Sequence, residues 1–184
     1  QCHRIGLFVS FPYFWGMFLY SKRLILAFGL LLFGLCSFGQ VKSGAFRLML
    51  KGLLSHSVPE TGVQQALKET GNVIFVDARE PKEYDVSHLK GAILVGYDQF
   101  DPKNLLDLPR TQPIIVYCSV GYRSEKVAEK LQKLGFSQVS NLYGGIFEWI
   151  NQGLPVYDEK GATEKVHAYN HTWAIWLKRG KKVF

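Results

Sequence analysis

The chain has 184 residues, 47% of them hydrophobic and 14% aromatic, which suits one packed domain and excludes a disordered chain. Its formal charge is +7 and its pI is near 9.3, but the basic residues are scattered among acids with no stripe or binding motif, which argues against nucleic acid as a partner.

Residues 24–36, LILAFGLLLFGLC, form an unbroken apolar run preceded by Lys22 and Arg23 and followed by Ser37, Phe38 and Gly39. This order predicts a secretory signal peptide, with Gln40 as the mature start and the periplasm as the destination. The alternative is an uncleaved membrane anchor, although the run is shorter than the roughly 20 residues that span a bilayer. Met17 opens a conventional basic leader, so residues 1–16 read as upstream sequence that is not normally translated. Removal of the segment takes away Arg4, Lys22 and Arg23 and no acid, which lowers the formal charge from +7 to +4. It also takes Cys2 and Cys36 and leaves Cys118 alone. A lone cysteine cannot close an internal disulfide or complete a four-ligand zinc site, so it is either an inert buried thiol or a reactive one.

Residues 40–59 are expected to hold a leading helix and a connector, since Phe46, Leu48, Met49, Leu50, Leu53 and Leu54 recur at helical spacing opposite Arg47 and Lys51. Thr61 is placed to cap a second helix over 63–68, which Gly71-Asn72 ends. Apolar runs at 73–76, 92–95 and 114–118 read as buried strands. Val127, Ala128, Leu131 and Leu134 predict a helix over 124–134 stopped by Gly135; a strand at 139–142, a turn at Gly144-Gly145 and a short helix through Trp149 follow. Alternating strands and helices, several strands apolar throughout, predict an α/β fold with a mainly parallel sheet covered on both faces over 60–157. In 158–184 a hairpin spanning 157–167, turning at Lys160-Gly161, and a docking helix carrying Trp173, Trp176 and Leu177 are expected.

The chemistry concentrates in 114–124, IIVYCSVGYRS. A buried strand delivers Cys118 at its C-terminal end, where ligands bind in open α/β sheets, and a tight turn leads into a helix. Several backbone N–H groups of that turn, together with the helix N-terminus, would form an anion cradle favouring the thiolate. Gly121 permits the tight backbone, and Arg123 adds a charge able to bind oxyanions with two donors. The competing view is a buried inert cysteine followed by a surface arginine.

These residues resemble the rhodanese family, whose active-site loop has the form Cys-x-x-Gly-x-Arg followed by Ser, here Cys118 to Ser124. Asp77-Ala78-Arg79-Glu80 with Glu83-Tyr84 and His88-Leu89-Lys90-Gly91-Ala92 is similar to the family's earlier signature. Leu142-Tyr143-Gly144-Gly145, Trp149, Gly153 and Leu154-Pro155-Val156 are similar to its closing one. The resemblance implies a sulfurtransferase in which Cys118 carries sulfur as a persulfide and residues 119–123 cradle it, with no metal or organic cofactor. It implies a small sulfur-containing donor and cyanide, a thiol or a protein as acceptor. Two departures stand out: Ser87 replaces a glycine before His88, and Ser119 replaces an arginine common in thiosulfate-using members, which weakens thiosulfate as the donor. Asp77, Arg79 and Glu83 are read as structural support for the loop, His88 as a turn residue and Trp149 as core; His56 and His171 have no partner visible in the sequence. Asn170-His171-Thr172 fits a glycosylation acceptor. A persulfide or redox module without turnover is the alternative function. Cysteine phosphatases and arsenate reductases are disfavoured because their loop is one residue longer than the four, Ser119 to Tyr122, between Cys118 and Arg123.

Overall fold

A strand apolar on both faces is stable at the centre of a sheet with helices above and below it. In the computed structural model, which describes residues 41–184, two such runs become neighbours: β2 (Ile74–Asp77) and β4 (Ile114–Tyr117) pair in parallel, with Ile74 opposite Ile114 and Asp77 opposite Tyr117. With β1 (Glu60–Thr61), β3 (Ile93–Leu94) and β5 (Val139–Leu142) they form a five-stranded, all-parallel sheet in the order β1-β5-β4-β2-β3. The expected α/β class is what the chain adopts.

The period of two along β4 sorts its side chains between two layers. Ile114 and Val116 pack with Val127, Ala128 and Leu131 of α4 (Tyr122–Lys133). Ile115 and Tyr117 join Phe46 and Leu50 of α1 (Gly44–Leu53), Val63 and Ala66 of α2 (Val63–Glu69) and Ile146, Phe147 and Ile150 of α5 (Gly145–Asn151). A further short helix of the sheet region, α3 (Pro81–Val86), opens with a capping box between Glu80 and Glu83.

Thr61 does not cap α2. It is drawn into β1 opposite Leu142, its hydroxyl 2.8 Å from Ser140 Oγ, so the cap falls on Gly62, which offers no side chain. The C-terminal segment also departs from expectation. The hairpin is confined to β6 (Val156–Asp158) and β7 (Gly161–Thr163), while β8 (Lys165–His167) pairs in parallel with an unforeseen β9 (Lys181–Val183). Between them α6 (His171–Ala174) is a single turn, and Trp176 and Leu177 lie beyond it. Asn170 accepts the Trp173 N–H at 3.1 Å, so its side chain serves as the helix cap.

This segment is fastened to the domain at several points. Trp176 stacks on Phe46 with ring centroids 5.3 Å apart, and Asn151 binds both the Trp176 carbonyl (2.9 Å) and the Lys178 N–H (2.7 Å). His88 and Tyr157 exchange backbone bonds of 2.8 and 2.9 Å. The expected export segment at 24–36, the start at Gln40, and Cys2 and Cys36 lie outside the described residues. Among the described residues no helix is long and apolar enough to cross a membrane.

Candidate active site

Cys118 follows the last residue of β4 and is buried, with its Sγ accepting the Gly121 N–H at 3.1 Å. That short return needs Gly121 at φ 124°, a region closed to most side chains, and Gly121 is also the N-cap of α4. The loop's carbonyls are tied outward. Cys118 and Ser119 C=O accept N–H groups of Ile146 (2.9 Å) and Phe147 (3.1 Å) at the start of α5, and Gly121 C=O accepts Asn141 Nδ2 at 2.9 Å. In a trans peptide the carbonyl and the following N–H point in opposite directions. Tying these three carbonyls therefore turns the N–H groups of Ser119, Val120 and Tyr122 to the other side of the loop.

Gly145 permits the contact with α5: a Cβ there would lie 2.4 Å from the Cys118 carbonyl oxygen, and its φ is +59°. Asn141, buried in β5, is itself held by the Ser124 hydroxyl, which donates to Asn141 Oδ1 at 2.7 Å. Asn141 was not foreseen as part of the site, because an asparagine in a strand next to turn-forming residues has no local signal.

Arg123 departs from expectation. Its two terminal nitrogens donate to Glu83 at 2.6 and 2.7 Å, and Nη2 also donates to Ser119 Oγ at 3.1 Å, so the two-donor fork expected to face an oxyanion is turned onto a carboxylate. Ser119 completes the cluster by donating to Glu83 Oε1 at 3.2 Å. Burial works against both charges, but the pair more than offsets it. Glu83 is held below the ordinary carboxylate range by the Arg123 hydrogen bonds and charge, while Arg123 is raised by Glu83 and by the nearby Cys118. Glu83 thus touches the loop itself, across 40 residues of sequence.

Asp77 and Arg79 form a fully buried ion pair. Arg79 Nη2 donates to Asp77 Oδ2 at 2.6 Å and to the Ser87 carbonyl at 2.7 Å, and Tyr117 accepts the Leu89 N–H at 3.1 Å beneath them. Burial opposes the Arg79 charge, yet Asp77 raises it overall. Ser87 has an extended backbone, φ −174°, that any residue adopts, but its hydroxyl is buried with no hydrogen-bond partner among the described residues. His88 stacks on Tyr84 with centroids 3.9 Å apart and its Nδ1 lies 3.0 Å from the Tyr84 carbonyl. His56 does have a partner close by in the sequence, Glu60 four residues on, at 2.9 Å, and the His171 ring lies 4.2 Å from that of Phe184.

The thiol opens onto a pocket of about 210 Å³ lined by Cys118, Ser119, Val120, Tyr122 and Arg123 on one side and by Leu53, Tyr169 and Trp173 on the other. The second set comes from α1 and the C-terminal segment and was not foreseen. The Tyr169 ring lies over the Arg123 guanidinium, 5.1 Å from its centre. Among the described residues no group of three or more His, Cys, Asp or Glu could hold a metal ion.

A sulfurtransferase from Allochromatium vinosum is 28% identical over 106 residues, which cover 58% of this chain and 98% of that protein. The tRNA uridine(34) hydroxylase of Pectobacterium carotovorum is 34% identical over 100 residues, 50% of this chain but 28% of that protein. Among solved structures, the BH2092 protein of Bacillus halodurans is 27% identical and superposes with a TM-score of 0.51 over 64% of this chain and 86% of that one. The family profile for the rhodanese-like domain matches residues 61–152, the stretch that carries the sheet, the cysteine loop and the Glu83–Arg123 pair, and the chain belongs to that family.

Proposed function

We propose that the protein is a sulfurtransferase that carries a sulfane sulfur as a persulfide on Cys118. The observation that supports this most is the loop itself, in which a buried thiol already accepts one backbone N–H and three more are turned away from tied carbonyls. The Cys118 thiolate attacks the outer sulfur of a donor; the new S–S bond forms as the donor's bond to that sulfur breaks, and the electron pair leaves with the donor residue as sulfite or a thiolate. An acceptor nucleophile, cyanide or a thiol, then takes the outer sulfur and Cys118 departs as thiolate. Neither step requires a cofactor. Backbone donors stabilise the anionic sulfur in both.

The four-residue return between Cys118 and Arg123 favours a site for one sulfur atom over one for a tetrahedral phosphate or arsenate. Arg123, bonded to Glu83, supports the loop's shape rather than a second anion site. The apolar run at 24–36 supports export of the protein, which N-terminal sequencing of the periplasmic fraction tests.

Intact mass spectrometry after incubation with a sulfane donor should show one added sulfur that a reductant removes. Cys118→Ser should remain folded and lose both the added sulfur and transfer to cyanide, because its hydroxyl cannot form a persulfide. Transfer retained by this variant would end the proposal. Stable loading without turnover to any acceptor would favour a persulfide-presenting module instead.

A further inference from the structure

We propose that the wall built by Leu53, Tyr169 and Trp173 makes the site selective for organic sulfane donors that carry an apolar, ring-sized group on the sulfur-bearing atom, in preference to small inorganic dianions. The inference rests on Cys118 being the sulfur carrier. Of the described residues lining the pocket, Leu53, Val120, Tyr122, Tyr169 and Trp173 are apolar or aromatic, and among them Arg123 is the one cation. Both ends of that cation are bonded to Glu83 and its face is covered by Tyr169, so a dianion entering here would shed its water without gaining a free positive partner. An apolar group on the donor meets the opposite conditions. It would leave water for a pocket whose far wall, Leu53, Tyr169 and Trp173, is apolar or aromatic, while the donor's terminal sulfur meets the loop N–H groups.

The backbone at Tyr169 points the same way. Its φ is 65°, the left-handed region that glycine and asparagine occupy at little cost and that a tyrosine seldom adopts. Three bonds hold it there: Tyr169 N–H donates to His167 Nδ1 at 3.1 Å, Asn170 N–H to the Ala168 carbonyl at 2.8 Å, and Trp173 N–H to Asn170 Oδ1 at 3.1 Å. Burial keeps the His167 imidazole below its ordinary range and so free to accept. A strained residue at the rim of a reactive thiol, placed so that its ring forms the wall while it stays 48% exposed, is fitted for contact with a ligand. All three wall residues lie outside residues 61–152, so the selectivity is added to the family's domain from the flanking segments.

The test uses two monoanionic donors that differ in the ring, benzenethiosulfonate and methanethiosulfonate, with thiosulfate as the dianion, full-length protein and cyanide as acceptor. In each case the Cys118 thiolate takes the terminal sulfur and the sulfinate or sulfite leaves with the electron pair. The expected result is a kcat/KM for the benzene donor at least about tenfold above that for the methane donor, with thiosulfate lowest. Tyr169→Gly, which relieves the backbone, and Trp173→Ala should each draw the ratio of the two thiosulfonates toward one. Equal kcat/KM for the two thiosulfonates in the unaltered protein, with the Cys118 persulfide formed, would overturn the wall's role and leave sulfur transfer standing. If no donor adds a sulfur to Cys118, both the transfer chemistry and the selectivity fall together. A ratio that survives both substitutions would also overturn the assignment to these residues.

Discussion

The two sides of the pocket are built by opposite means. On the cysteine side all but the half-exposed Tyr122 is largely buried and bonded: three carbonyls of the loop are tied to α5 and to Asn141, and the charged pair Glu83–Arg123 closes it with Ser119. On the other side a single helical turn and a strained tyrosine, 48% exposed, are held by a few bonds to the chain's own flanking segments. A nucleophile must be placed to within fractions of an ångström, which calls for a rigid shell, whereas discrimination between donors needs surface area and tolerates compliance. Stability and chemistry should therefore be sensitive to the first side, and donor preference to the second.

The largest effect should come from Gly145→Ala. The added methyl would meet backbone atoms of Cys118 and Ser119 at 2.4 and 2.7 Å in a left-handed residue, so the loop or α5 must move. We expect a loss of about 3 kcal/mol of stability in chemical denaturation, and loss of sulfur transfer even where the protein still folds. An active, stable variant would show that the loop does not depend on α5.

Asn141→Ala should cost less, about 1–2 kcal/mol, because it removes the amide that donates to the Gly121 carbonyl and accepts from the Ser124 hydroxyl, while Glu125 N–H and the Ser124 hydroxyl still bond that carbonyl. Its transfer rate should fall with every donor alike. A change in donor preference instead would blur the distinction between the two sides.

Acid should weaken the cysteine side next. Burial raises the Glu83 pKa, but Arg123 more than offsets this, so the folded value lies below that of the unfolded chain. The pair therefore contributes fully above the ordinary glutamate value of about 4.3 and loses its contribution as pH falls below it through the folded value. Glu83→Gln should flatten that part of the stability-against-pH curve. An acid limb of unchanged steepness would assign the loss to other carboxylates.

The smallest stability change is expected on the aromatic side. Tyr169→Gly relieves the left-handed residue while giving up the ring over Arg123, and the melting curve should shift by less than about 1 kcal/mol in either direction. A penalty as large as that of Asn141→Ala would mean that the wall is part of the rigid shell.

Much of this molecule is legible in its sequence, and for a local reason. Apolar runs such as 114–117 report burial on both faces, helical spacing at Val127, Ala128 and Leu131 reports the covering layer, and Gly121 beside Cys118 reports a backbone that returns on itself. These signals are carried by neighbours in the chain, so the parallel sheet, the place of the thiol at a strand end and the composition of its loop follow from the order of residues alone. What tertiary structure alone decided is which distant polar groups meet. Glu83 claims Arg123 from 40 residues away, Asn141 reaches Gly121 across 20, and the lysine-rich Lys181–Val183 becomes a strand only because β8 offers it backbone partners. Tyr169 and Trp173 carry no motif, and they reach the pocket because Trp176 docks on Phe46 and fixes where the C-terminal segment lies. Burial leaves a periodic trace along the chain, but the pairing of polar groups depends on which crossovers bring them together, and no run of neighbouring residues records that.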